Sequence, residues 1–489
     1  MTVHVAGTIH GHPGADAVRV EAGRIVEIGL ATAMDGPVVD HGTAAMLPGL
    51  RDSHLHPLGL AVHGDRLDLS DAVTIHDVVD RIARQARSSP EPAPIIAVGL
   101  DDEKLADGRL PTAQDLDGVA TGAPVLIYRH CSHVASANTA ALRAAGIGVD
   151  TADPPGGRFQ RDTSGRLTGV LEEAAITPVA AALADRALAP DPDRIRGVLA
   201  RLRKRGLVAV DAMVASGPSM WCVGDGELAT ITALGSESPL AIDVFVICDT
   251  PEELGEAALR LGEAGPHVRF AGWKGFADGS LGARTAALRS PYSDDPSTSG
   301  MPIDRGMSMM AETAAALGGQ AAIHAIGDRA ADAVIAVAER LSPGTVRIEH
   351  ASVVDAEQIE AMAAAGMIAS VQPSFVASDG PWVERRLGSE RLPWTYPFAS
   401  MRSAGLALRG GSDAPIESAD PFVGMQDACS ARTEALSGRD AVDLYADQPL
   451  AVGSPATFVI CTKDPSDVAV DEIAEIGVTE VWIEDRRVE

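Results

Sequence analysis

The chain has 489 residues, 46% hydrophobic and 22% charged, a globular balance that excludes disorder. Its length exceeds the roughly 250–300 residues at which one core stops growing, which predicts a large domain plus a smaller one. With 40 basic against 68 acidic residues the net charge is −28, a field that repels phosphate backbones and anionic bilayers, so neither nucleic acid nor a membrane is an expected partner.

The start, "MTVHVAGTIHGHPGADAVRV", lacks the basic residues and apolar stretch of a secretory signal, and no run of about 18 uncharged apolar residues follows. The chain therefore reads as mature, soluble and cytoplasmic. Five cysteines (Cys131, Cys222, Cys248, Cys429, Cys461) are widely spaced without a CxxC, so neither a disulfide framework nor a thiolate zinc site is expected.

Residues 1–46 alternate β-like runs ("VHVAGTIH", "AVRVEAGRIVEIG") with glycine turns, and residues 453–489 do the same ("ATFVICT", "VTEVWIEDRRVE"). These ends predict one composite β-sandwich domain, 1–46 plus 447–489, around a central domain at 47–446. Within the latter, "AAMLPGLRDSHLH" is the first of eight apolar runs. The others are "GLVAVDA" (206–212), "AIDVFVI" (241–247), "RFAGWKGFADG" (269–279), "QAAIHAIGD" (320–328), "VRIEHAS" (346–352), "MIASVQPS" (367–374) and "LALRGGSDAP" (406–415). Stretches of helical period such as "RAADAVIAVAERL" (329–341) separate them, which predicts an α/β fold, a (β/α)8 TIM-type barrel. The first and second runs lie too far apart for one helix, so an insertion at about 58–205 is expected, punctuated by "SSPEPAP" (88–94) and "ADPPGGRF" (152–159).

In "LPGLRDSHLHPLG", His54 and His56 stand two residues apart and so point to the same side of a strand, where two imidazoles can hold one ion. Alone the pair is weak, but Lys274, His324, His350 and Asp413 close the fourth, fifth, sixth and eighth runs. Polar side chains at the C-terminal ends of barrel strands read as catalytic, and His nitrogen with Asp oxygen suits zinc and related divalent ions.

"PGLRDSHLHPLG", "HCSHVASANTAAL", "WKGFADGSLGARTAAL", "AIHAIGDRAADAV", "RIEHAS" and "GGSDAPIESADPF" resemble successive motifs of the amidohydrolase superfamily, in the amidohydrolase-3 branch that contains N-substituted formamide deformylases and related metal-dependent hydrolases. The resemblance runs from about residue 3 to the C-terminal β-region. It implies one or two divalent ions per chain, with zinc expected. His54 and His56 would take the first metal, His324 and His350 the second, and Asp413 would serve as ligand of the first and as general base. It further implies that Lys274 is carboxylated to bridge both ions, since a protonated lysine has no acceptor. The mechanism implied is attack by metal-bound hydroxide on a carbonyl or imidoyl carbon, with Asp413 carrying a proton to the leaving nitrogen. Two departures touch no proposed ligand: Thr457 stands where an acidic residue is common, and "HPLGLAVHG" lacks the usual glycine-rich turn.

Other positions leave two readings open. His130 and His133 either hold the acyl oxygen or cap the helix "SANTAALRAAG"; Glu173 either faces the pocket or a metal, or sits solvated at a helix start. Asp278 and Arg284 either shape the substrate pocket or form a loop salt bridge. In the aromatic-rich segment 373–398, Phe375, Trp382, Trp394, Tyr396 and Phe398 either wall a substrate site or anchor the loop, and Arg385, Arg386 and Arg391 are candidates to meet a substrate anion. Asp328 reads as a helix N-cap, while Arg347 and Glu349 read as orienting neighbours of the ligands. The leading expectation is a hydrolase of C–N bonds in amide-like small molecules, a deformylase among them. The alternatives are a deaminase or cyclic-amidine hydrolase with one metal, and a non-catalytic binding barrel. A homodimer is the default expectation for such barrels.

Overall fold

The computed structural model describes residues 1–88, 93–119, 122–183, 191–217 and 226–488. Cys222 and part of the 88–94 stretch lie outside them. Eight parallel strands form one sheet in sequential order: β1 (Leu50–Leu55), β2 (Leu207–Ala215), β3 (Ala241–Ile247), β4 (Val268–Phe276), β5 (Gln320–Ala325), β6 (Val346–His350), β7 (Ile368–Val371) and β8 (Ala407–Gly410). The sheet closes just past its ends. Leu55 bridges Ala414, the Asp413 amide donates to the His54 carbonyl at 2.6 Å, and the His56 amide donates to Ala414 at 2.8 Å.

Parallel strands covered on both faces need near-continuous apolar sequence, and β2, "LVAVDAMVA", is buried along its whole length. The outer helices show the matching stripe. In Asp328–Ala338, Ala330, Ala331, Val334, Ile335, Val337 and Ala338 are buried, the spacing of one helical face. No described helix is long and apolar enough to cross a membrane.

The two ends of the chain build two further sheets. One contains Thr2–Val5, Ala17–Glu21, Arg24–Gly29 and Val38–Asp40; the other contains Thr8–Ile9, Ala45–Pro48, Phe458–Cys461, Val478–Ile483 and Arg486–Val488. Val18, Val20, Ile25, Met46, Phe458 and Ile460 pack in one cluster between them. Two-residue loops close both hairpins with positive φ at each central residue, Ala22 and Gly23 in one and Glu484 and Asp485 in the other, the backbone that follows strand twist.

The run "AAMLPGLRDSHLH", read as one strand, is two. Ala45–Pro48 pairs with Phe458–Cys461, and Leu50–Leu55 enters the barrel. Gly49 separates them because a Cβ there would fall 2.8 Å from both Thr457 and Val208.

The insertion carries its own six-stranded mixed sheet, from Leu67–Asp68 to Leu167–Glu173. Alternate residues of the strand Val125–Arg129 serve two apolar clusters, Leu126 and Tyr128 on one face, Val125 and Ile127 on the other. A tight turn with Ser132 at φ +60° joins that strand to Val134–Ala137 and carries residues 130–133 to the barrel mouth.

Candidate metal centre and active site

His54 lies near the end of β1 and Asp413 lies just past β8, the strand that closes the barrel against it. Asp413 Oδ1 is 3.4 Å from His54 Nε2 and 3.3 Å from His56 Nε2. Among the described residues, these three are the one group of at least three candidate ligands whose donor atoms lie within 4.8 Å of one another. His350, the last residue of β6, places its ring centroid 5.0 Å from that of His54 and 4.4 Å from that of His324 on β5. His350 and Asp413 both hold left-handed backbones, at φ +72° and +55°, strain of order 1–3 kcal/mol each that cores do not need and functional sites often carry.

Each buried histidine has one ring nitrogen fixed from behind. His54 Nδ1 faces Glu349 Oε2 at 2.5 Å, His350 Nδ1 faces Gln372 Oε1 at 2.7 Å, and His324 Nε2 faces the Gly279 carbonyl at 3.0 Å. A nitrogen that donates to an oxygen leaves the other with its lone pair, so His54 and His350 offer Nε2 and His324 offers Nδ1. Burial holds the His54 and His324 pKa well below the ordinary imidazole value, and lowers that of His350 to about 4. All three are neutral, the ligating form.

Behind His54, Glu349 accepts from Arg347 Nε at 2.5 Å; Arg347 also donates to Asp211 at 2.5 Å and to the Ser53 carbonyl at 2.8 Å, and Asp211 pairs with Arg51. The expectation that Arg347 and Glu349 orient ligands matches these contacts.

Lys274 on β4 is 2% exposed, and its Nζ has no hydrogen-bond partner. It sits 4.6 Å from the Phe276 ring centroid, and burial lowers its pKa to about 8. An ammonium is expensive to leave unpaired in such a place.

Above these groups opens a pocket enclosing about 450 Å³, including its solvent-filled mouth. His130, His133, Phe375 and Trp382 line it, and Phe375 stacks parallel to His350 with centroids 5.9 Å apart. His133 Nδ1 bonds Glu173 Oε2 at 2.8 Å, and Thr285 donates to the other Glu173 oxygen at 2.6 Å. Burial pulls the His133 pKa down, but Glu173 outweighs it and raises the value to about 9. Glu173 ends a strand, not a helix start, and holds His133 rather than lining the pocket. Neither histidine caps the following helix; Asn138 does, accepting from the Ala141 amide.

Several expected substrate contacts prove structural. Asp278 is fully buried and accepts from the amides of Ala287, Ile326 and Gly327, so its carboxylate is used up behind His324. Arg284 pairs with Asp294, the loop salt bridge, and Trp394 packs against the apolar cluster that contains Trp382 without lining the pocket. Tyr396 donates to Asp379, and Phe398 joins the barrel core. Arg385 and Arg386 pair with Glu103, Arg386 also with Asp294, and Arg391 donates to the Leu387, Ser290 and Pro291 carbonyls. Gly327 occupies the N-cap position given to Asp328, which instead accepts from the Arg289 and Arg329 amides. Charged pocket residues that escaped sequence reasoning include Arg129, Asp379 and Glu417. "VLIYR", an arginine ending an apolar strand, was the available signal for the first.

A divalent ion fits this donor set. Neutral imidazoles with inward lone pairs and a carboxylate between two of them are what a metal would satisfy. The sequence model of the amidohydrolase family matches residues 38–489. YtcJ of Bacillus subtilis, named as an amidohydrolase, is 32% identical over 468 residues, covering 86% of this chain and 84% of the relative. The N-substituted formamide deformylase of Arthrobacter pascens is 27% identical over 522 residues, covering 96% and 94%. An uncharacterized metal-dependent hydrolase from Pyrococcus horikoshii superposes with a TM-score of 0.72 at 30% identity, over 96% of this chain and 99% of that one. The barrel and these similarities establish that the chain belongs to the amidohydrolase family of metal-dependent hydrolases.

Proposed function

We propose that the protein hydrolyses C–N bonds of amide-like small molecules, with N-substituted formamides the first class to test. The observation that carries this reading is the convergence of His54, His56, Asp413, His324 and His350 beneath a small pocket with an aromatic wall. His54, His56 and Asp413 would hold one zinc ion and His324 and His350 a second. Lys274 would join them once its amine adds CO₂, forming the N–C bond of a carbamate and releasing a proton; the unpartnered Nζ and its lowered pKa favour that addition. The chemistry such ions supply when bound is polarisation of the substrate carbonyl and a water pKa near neutrality.

The chain's own residues supply the rest. Asp413 holds the proton released by the attacking water and delivers it to the leaving nitrogen. His133, fixed through Nδ1 by Glu173, keeps Nε2 as the donor for the carbonyl oxygen as negative charge develops there. Phe375 and Trp382 give the acyl or amine substituent an apolar wall.

A single-metal deaminase is the second reading, favoured by the tightness of the His54, His56 and Asp413 group alone. Metal content per chain, measured by plasma mass spectrometry on protein made with zinc and bicarbonate, separates the two. About two equivalents, with formate released from N-substituted formamides, supports the leading reading. About one equivalent, with ammonia released from heterocycles, supports the second.

A further inference from the structure

Arg129 ends the insertion strand Val125–Arg129 and is 1% exposed, yet it lines the pocket above the candidate ligands. Its Nε donates to Asp102 Oδ1 at 2.6 Å, and Nη2 lies 3.7 Å from Asp101 Oδ1. Neither Nη1 nor Nη2 has a hydrogen-bond partner. Gly282, across the pocket wall, makes room for the group: a Cβ there would fall 2.6 Å from Arg129 Nη1 and 3.1 Å from Nη2.

A guanidinium carries five N–H donors in one plane, with two edges that each match a carboxylate. Asp102 takes Nε, so the edge of Arg129 without a hydrogen bond is the buried Nη1–Nη2 end, with Asp101 near Nη2 and Asp379 in the same pocket. The neighbouring arginines offer no such edge: Arg386 is divided between Glu103, Asp294 and the Gly282 carbonyl, and Arg391 is spent on loop carbonyls. On the loop after β7, Asp379 is engaged by the Tyr396 hydroxyl.

We propose that Arg129 is the carboxylate-recognition residue of the substrate pocket, so that the substrates are acidic amides carrying a carboxylate a few bonds from the scissile C–N bond. The inference rests on the reading of the site as a C–N hydrolase, and two measurements keep the two apart. In the first, calorimetry on the zinc-loaded full chain compares 3-phenylpropanoate with 3-phenylpropanol, neither of which can be hydrolysed. The acid is expected to bind roughly 10- to 100-fold tighter, the span of a charge-assisted pair. Arg129→Gln removes most of that preference and leaves the alcohol unchanged; Arg129→Lys, which keeps charge and loses the fork, falls between. Gly282→Ala displaces the guanidinium without touching its charge and weakens only the acid, which keeps the test decisive if Arg129→Gln fails to fold. Acid binding that survives all three substitutions places the carboxylate elsewhere and overturns the proposal.

In the second, kcat/KM is compared for N-formyl-phenylalanine and its methyl ester. Arg129-dependent binding with neither compound hydrolysed leaves the subsite standing and removes the hydrolase reading. Equal hydrolysis of both, with Arg129-independent binding, does the reverse.

Discussion

The buried pair Arg347–Glu349 supports both the barrel and His54, and removing it separates the two roles. Glu349 is fully buried and gives one oxygen to His54 Nδ1 and the other to Arg347 Nε, each at 2.5 Å. Glu349→Met leaves Arg347 with Asp211 as its one remaining charged partner, at 2.5 Å, and orphans His54 Nδ1. Breaking a buried pair from one side costs about 3–5 kcal/mol, a large share of the ~5–15 kcal/mol that holds a domain. Arg347→Met strands Glu349 and costs a similar amount. In the double variant both charges vanish together while Asp211 keeps Arg51, so the total falls below the sum of the singles by about 1–3 kcal/mol. Metal binding does not recover with it. His54 lacks Glu349 in both Glu349→Met and the double variant, and affinity falls about 10–100-fold in each. Urea unfolding of metal-free protein, followed by circular dichroism, gives the stabilities, and competition with a chelating dye gives the affinities. Stabilities that add within about 0.5 kcal/mol, or a double variant that binds metal like the parent, refute the reasoning.

Asp413→Asn keeps the shape of the side chain and loses its proton acceptor; kcat is expected to fall about 10²–10⁴-fold with the fold intact, read by steady-state hydrolysis beside circular dichroism. Gly279→Ala would drive a Cβ to 1.9 Å from Glu173 Oε1 and 2.3 Å from Thr285 Oγ1, shifting His133 and lowering kcat about 100-fold, read by steady-state hydrolysis. His10 ties the terminal sheets to the barrel side through Asp443 at 3.1 Å and to the C-terminal segment through Asp464 at 3.5 Å. Burial lowers the His10 pKa, but hydrogen bonds to those carboxylates outweigh it and raise the value to about 9. A raised folded-state pKa gives stability fully present below the ordinary 6.5 and lost as pH rises through about 9, of order 3 kcal/mol at most. The melting-temperature gap between the parent and His10→Gln is therefore wide at pH 6 and closes towards pH 9.5; an unchanged gap counts against the clamp.

What the sequence revealed and what it hid divide along one physical line. Most barrel strands were legible because burial on both faces favours apolar runs, as in β2, and the candidate ligands stood out because His324, His350 and Lys274 interrupt such runs towards their C-terminal ends. Backbone direction was invisible. Asp278, flanked in sequence by Lys274 and Arg284, read equally as a pocket residue or a loop salt bridge, and instead three amides from Ala287, Ile326 and Gly327 converge on it. The split of the first run at Gly49 was equally hidden, because apolar residues continue across it and only the nearness of Thr457 and Val208 forces the break. Arginines were the hardest to sort. Arg385, Arg386 and Arg129 have the same side chain, and which one keeps an open edge depends on Asp102, Glu103 and Asp294 arriving from distant segments. Residues 101–104 of the insertion meet Arg129 on one side and the 373–398 loop on the other, so a single acidic turn decides which guanidinium faces the pocket. The pocket in this fold is therefore shared: the insertion brings Arg129, His130 and His133, the barrel ends bring His324, His350 and Asp413, and the loop after β7 brings Phe375 and Trp382.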